Sequence, residues 1–181
     1  MINFSHKKKI VVGGFTLIEA LVAVLFLMFT IIYPMRVAQD GLQAAYYSQN
    51  QIQAFNYIQE AIEFVRWERD QAAFAPGGDW TGLDPNGVCF LSGCSIQSNN
   101  SGELYGIATN VACPNISTNV DPRCQISDPV DASKKSIFRR QISITDKSTS
   151  QATVNVTVCW NDLAAKNQCI SVTEYLKNWK Q

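Results

Sequence analysis

The sequence predicts an α+β fold: a long N-terminal helix set against a small antiparallel sheet, with a disulfide-pinned loop region between them. Three observations predict it. From Arg36 to Ala72 there is no proline and only one glycine, Gly41, in a run rich in Gln, Ala and Glu. Three segments near the C-terminus alternate apolar and polar residues. Between helix and strands lies a stretch rich in Gly, Pro, Asn, Asp and Ser that holds four of the six cysteines. At 181 residues the chain has room for one compact head and one long extension.

The extension begins with residues 15–35, FTLIEALVAVLFLMFTIIYPM. At 1.5 Å per residue they span roughly 31 Å, close to the ~30 Å hydrocarbon core of a bilayer. Lys7, Lys8 and Lys9 lie just before this run and place the N-terminus on the cytoplasmic side, which sends everything after Met35 outward. A secretory signal carries its small-residue cleavage site after the apolar segment. Here the small pair, Gly13-Gly14, comes before it, so a cut after Gly14 leaves the membrane helix attached. Such a cut removes residues 1–14 with three lysines and the single histidine, His6, leaving 12 basic against 15 acidic residues, a balance of −3.

Glu19 is the residue of this run that most needs explaining. A carboxylate at the centre of a membrane helix costs about 3 kcal/mol on insertion scales and calls for a partner or a function. Cleavage after Gly14 supplies a partner, the new cationic amine of Phe15. In a bundle of helices, that amine on one subunit can neutralise Glu19 on its neighbour and fix their axial register.

The run Gly14-Phe15-Thr16-Leu17-Ile18-Glu19, with lysines upstream, resembles the N-terminal signal of type IV pilins and pseudopilins. The resemblance implies that an aspartyl prepilin peptidase of the inner membrane cuts after Gly14 and N-methylates Phe15, and that Glu19 is the assembly carboxylate. It implies the pilin form of the α+β fold. Pro34 lacks an amide donor and predicts a kink near the outer end of the membrane segment, where prolines are familiar in pilin helices.

The second half of the helix, residues 36–72, places Ala54, Phe55, Ile58, Ala61, Ile62 and Val65 on one stripe, with Glu60 and Glu63 opposite. Phe64 and Trp67 do not fit that stripe. A straight helix over 15–72 would be about 87 Å long. A head made of residues 73–181 cannot cover it, so the membrane half needs lipid before assembly and other helices afterwards. Such a filament is held by contacts that do not close.

Within the head, residues 73–136 lack periodicity. Six cysteines beyond a membrane-targeting start fit disulfides in an oxidising compartment, and they admit 15 full pairings. The local pairs Cys89–Cys94 and Cys113–Cys124 are expected from their enclosed loops. Residues 137–145, 152–160 and 169–176, within the strand region 137–181, read as a three-stranded meander turning at DKSTS and NDLAAKNQ. A Cys159–Cys169 bridge would staple the second turn, and the face of Ile58, Ile62 and Val65 is the packing partner. VNVTVCW followed by SVTEYLKNW adds a weaker likeness, over the last third, to minor pilins of the PilV type and to minor pseudopilins of type II secretion.

Chemistry finds little support. Without His6 there is no histidine for a triad, a metal site or a general base. C-x4-C, C-x10-C and C-x9-C lack zinc-ribbon knuckles. Asp121, Asp128 and Asp131 gather in a loop without EF-hand spacing and read as solvated carboxylates rather than a calcium site. Asn99, Asn115 and Asn155 begin N-x-S/T triplets that arise often by chance. Lys134, Lys135, Arg139 and Arg140 read as a solvated strand edge, not a nucleic-acid face.

The functional expectation is therefore a minor pilin or pseudopilin without cofactor, metal, nucleic-acid or small-molecule ligand. It is a single-pass inner-membrane protein before it enters a filament. Its expected partners are the prepilin peptidase, other pilin subunits through the N-terminal helix, the inner-membrane assembly platform and lipid. Two other classes stay open. One is a filament-tip binding module acting through the cysteine-rich loop, betrayed by loss of adhesion or uptake when that loop is replaced. The other is an anchored extracytoplasmic enzyme, betrayed by activity in the head from residue 36 onward.

Overall fold

The computed structural model describes residues 14, 16–75, 88–91, 93–96, 111–113, 116, 124–127, 134–161 and 166–179. Its elements in chain order are α1 (Leu17–Phe74), α2 (Val88–Leu91), β1 (Cys94–Ser95), β2 (Val111–Ala112), β3 (Gln125–Ser127), β4 (Lys135–Thr145), β5 (Gln151–Asn161) and β6 (Asn167–Lys177). The chain divides into two compact units, Met1–Ala44 and Ala45–Gln181.

The described part of the first unit is the start of α1. It continues through Pro34, whose missing amide leaves the Thr30 carbonyl without its usual donor. The Thr30 hydroxyl bonds back to the Leu27 carbonyl at 2.8 Å.

The second unit is an antiparallel sheet packed on the later turns of α1. Its order is β2-β1-β4-β5-β6, with β3 also paired to β4. The three long strands arise where period-2 alternation is strongest. In β5, Ala152, Val154, Val156, Val158 and Trp160 point to the helix and are all buried, while Thr153, Asn155 and Thr157 point away. The β4–β5 turn is built by Ser148, whose hydroxyl oxygen accepts from the Gln151 amide at 3.1 Å and donates to the Gln151 carbonyl at 3.0 Å. Asp146 takes a left-handed backbone there, φ 50°, which aspartate tolerates better than most residues.

The sheet is larger than a three-stranded meander. β1, β2 and β3 lie in the cysteine-rich region, where two- or three-residue strands are too short to carry a visible period. Cys94 sits opposite Ile142, and Gln125 opposite Arg139, so both flanks of this region pair with β4. Gly93 precedes β1 with φ 69°, and a side chain there would collide with Gln141. Three disulfides pin these elements: Cys89–Cys94, Cys113–Cys124 and Cys159–Cys169, the last between directly opposed residues of β5 and β6. Closing loops of this length stabilises by roughly 2–3 kcal/mol each on the chain-entropy account.

Helix and sheet meet through Ala54, Ile58, Ala61, Phe64 and Val65 on α1 and Phe138, Ile142, Ile144, Val154, Val156, Val158, Trp160 and Leu176 on the sheet. The buried stripe is rotated from the expected one. Phe64 is 6% exposed and Phe55 41%. The two rings flank opposite sides of the Ala54–Ile58–Ala61–Val65 line, and the sheet covers the Phe64 side. Tyr57, Phe138 and Trp160 continue the core as tilted ring pairs at 5.3 and 6.0 Å. On the sheet's other face Cys113, Ile116, Cys124 and Cys159 form a second, smaller buried cluster.

Candidate functional site

The first candidate is the start of α1. Thr16 is its N-cap: the Thr16 carbonyl accepts the Ala20 amide at 3.2 Å, and its hydroxyl oxygen accepts the Glu19 amide at 3.3 Å. Glu19 thus stands three residues after a threonine cap, the spacing of a capping box, and Thr16-x-x-Glu19 carries that signal in the sequence. A carboxylate in the first helical turn is favoured by the helix dipole by about 0.3–1 kcal/mol. That is less than the about 3 kcal/mol a carboxylate costs at the centre of a membrane helix.

From Thr16 to Ala44 every residue of α1 is exposed, including Leu17, Phe26 and Ile31 at 84, 67 and 66%. Among the described residues one helix, α1, is long and apolar enough to cross a membrane. Gly14 is exposed, with nothing within 4 Å of the place a Cβ would occupy. Phe15 and the leader residues 1–13 lie outside the described residues, as do Asp121, Asp128 and Asp131 of the calcium reading.

The second candidate is the pair Arg139 and Arg140, and here the expectation of a solvated strand edge is corrected. β4 is an interior strand, and both arginines are buried, 5 and 1% exposed. Arg140 shares the parity of Phe138, Ile142 and Ile144, so alternation drives it toward the helix. There it donates to the Tyr57 carbonyl at 3.1 Å, to Glu60 Oε2 at 2.8 Å and to the Ile96 carbonyl at 3.0 Å. Glu60, expected on the solvent side, is therefore drawn to the sheet margin. One guanidinium ties α1, β4 and the residue after β1 together.

Arg139 faces the other side, where it donates to Asn167 Oδ1 at 2.5 Å and Asn161 Oδ1 at 3.4 Å. Burial pulls this guanidinium below its ordinary range, and no carboxylate among the described residues opposes that pull. The parity of Phe138, Ile142 and Ile144 was the signal that one of two adjacent arginines had to face inward.

A third polar group closes the top of the helix. Arg66 bridges Glu63 at 2.6 Å and Glu174 of β6 at 2.8 Å, and the hydrogen bond with Glu174 holds its guanidinium above the ordinary value. Trp179 donates its indole N–H to Asp70 at 3.1 Å and lies against Phe74 with ring centroids 5.2 Å apart. The Arg69 guanidinium beside Asp70, helped by that indole, holds the carboxyl below its usual value of 3.8. A carboxyl with a lowered pKa keeps its contribution above the ordinary value and loses it as pH falls through the lowered one. Acidification below pH 3.8 is therefore expected to change Trp179 emission, and Asp70→Asn should remove that step from the fluorescence titration.

Among the described residues no three His, Cys, Asp or Glu side chains gather to hold a metal ion. No protein-family model matches the chain, and no curated protein or solved structure is significantly similar to it.

Proposed function

We propose that this chain is a minor pilin or pseudopilin, trimmed after Gly14 by a prepilin peptidase and carried into a filament by the first half of α1. One observation carries the reading: an apolar helical segment with all its side chains exposed, bearing one carboxylate, Glu19, at its capped start. Apolar surface on this scale far exceeds the few hundred Å² that soluble proteins leave open, so it needs lipid or other helices. In a passive membrane anchor the carboxylate would remain a net cost.

After trimming, Phe15 would carry the free amine immediately before the Thr16 cap. The amine would stand four residues before Glu19 in the chain, so neighbours offset along a bundle can pair one with the other. The dipole covers only part of the cost of burying Glu19, and the pairing would offset the rest. The head, with its sheet and three disulfides, suits the oxidising side of the membrane.

Two measurements test this reading. N-terminal sequencing of native protein should begin at N-methylated Phe15; a start at Met1 or beyond Met35 would defeat the proposal. Glu19→Val should still be trimmed, yet its recovery in sheared filaments should fall roughly tenfold or more, because the Phe15 amine of each neighbour is then buried without a partner.

A further inference from the structure

The two margins of the sheet differ. Beyond β4 it ends in β1, β2 and β3, each two or three residues long. At the other margin stands β6, 11 residues long, paired with β5 in unbroken register from Asn161↔Asn167 to Gln151↔Lys177. Native edges are normally blunted by short length, proline, bulges or lysine, because a row of open amides and carbonyls is a template for another strand. β6 has neither proline nor bulge, and its one lysine is its last residue.

The register shows which backbone groups are open. The Asn178 amide donates to the Ser150 carbonyl at 2.9 Å, continuing the β5–β6 ladder. Antiparallel alternation then turns the amides and carbonyls of Cys169, Ser171, Thr173 and Tyr175 away from β5. No strand among the described residues receives them. On the helix-side face of the same strand, Ile170 and Val172 are only partly buried at the margin of the core.

We propose that this edge pairs with β6 of a second copy of the chain, antiparallel about a two-fold axis through Ser171. The open groups all belong to odd-numbered residues, so odd must face odd and the axis must pass through a residue. An axis at Val172 sets Ile170 opposite Glu174, and one at Thr173 sets Val172 opposite Glu174, whose carboxylate is already engaged by Arg66. An axis at Ser171 sets Ile170 opposite Val172 twice, joining the partly open apolar residues of both copies. It also sets Cys169 opposite Thr173 and brings no like charges face to face. Such a contact uses the same surface on both partners and closes at two copies. It is independent of the filament contacts of α1.

Purified full-length protein in detergent micelles, treated with a short bis-maleimide, provides the test. Ser171→Cys places two thiols beside the axis at a hydrogen-bonded pair, with Cβ atoms about 5.5 Å apart, beyond direct disulfide reach but within that of the cross-linker, and should give a covalent dimer on a denaturing gel. Tyr175→Cys places its thiol opposite Asn167 of the other copy, roughly 27 Å from its own equivalent, and should give none. Ser171→Pro removes an amide that points away from β5, so the fold and its mapped disulfides should persist while association weakens at least tenfold. The proposal is overturned if Ser171→Cys stays monomeric, if both cysteine variants cross-link equally, or if Ser171→Pro leaves association unchanged.

Discussion

Full-length protein carrying Gly14→Leu is expected to keep the intact mass of the uncut chain when coexpressed with a prepilin peptidase, while the wild type loses residues 1–14. The structure removes the usual objection that a bulky residue disturbs folding. Gly14 is exposed, a Cβ there meets nothing within 4 Å, and the helix begins three residues later under its own threonine cap. A loss of processing would therefore report on the protease. A peptidase that grips the backbone on both sides of the scissile bond has no room for a side chain beside it, which glycine alone lacks. Processing of the leucine variant should fall more than tenfold, and Gly14→Ala should lie between. Equal trimming of leucine variant and wild type would remove the cleavage assignment and, with it, the amine that Glu19 is proposed to meet.

This experiment separates two roles that the motif compresses into six residues. Gly14 would act once, before assembly, through the absence of a side chain. Glu19 would act afterwards, through a charge whose cost falls only when another subunit arrives. An uncut Gly14→Leu chain should thus fail at the membrane stage, whereas Glu19→Val should fail only at incorporation.

What the sequence reveals depends on the length over which each signal repeats. β5 announces itself because Val154, Val156 and Val158 repeat the same choice at every second residue, and the apolar run of α1 because composition persists for twenty residues. β1, β2 and β3 give no such repetition. They exist because disulfides hold them and because β1 and β3 pair with β4 and β2 with β1, which is tertiary information. Phe64 went unplaced for a related reason. A stripe fitted to 54–65 can be drawn through Phe55 or Phe64 equally well, and only the position of the sheet decides. At the candidate N-terminal site, Gly14 and Glu19 stand out by motif, while the Thr16 cap needed a second reading of the same residues. At the buried arginines charge points outward while strand parity points Arg140 inward. In an interior strand, parity wins whenever the inward side finds partners.

That case yields the largest effect expected on stability. Arg140→Ala should destabilise the protein by about 3 kcal/mol, seen as a lower urea midpoint or a fall in Tm of roughly 10 °C. Three losses contribute. The Tyr57 and Ile96 carbonyls lose their charged donor, Glu60 loses its ion pair, and a side chain that was 1% exposed leaves a void between helix and sheet. Breaking a fully buried pair costs about 3–5 kcal/mol; because the Glu60 side chain is 35% exposed, it can recover water, which places the effect at the lower end. Arg140→Met separates the terms, since methionine refills the void without offering a donor. It should recover about 1 kcal/mol if packing matters, leaving the unmet carbonyls to account for most of the remainder. Glu60→Gln should cost least, about 1 kcal/mol, because an amide oxygen can still accept from the guanidinium. An alanine variant within about 0.5 kcal/mol of wild type, the range of an ordinary surface change, would mean that Arg140 sits in water after all. The helix would then be held to the sheet by apolar contact and the Arg66–Glu174 bridge.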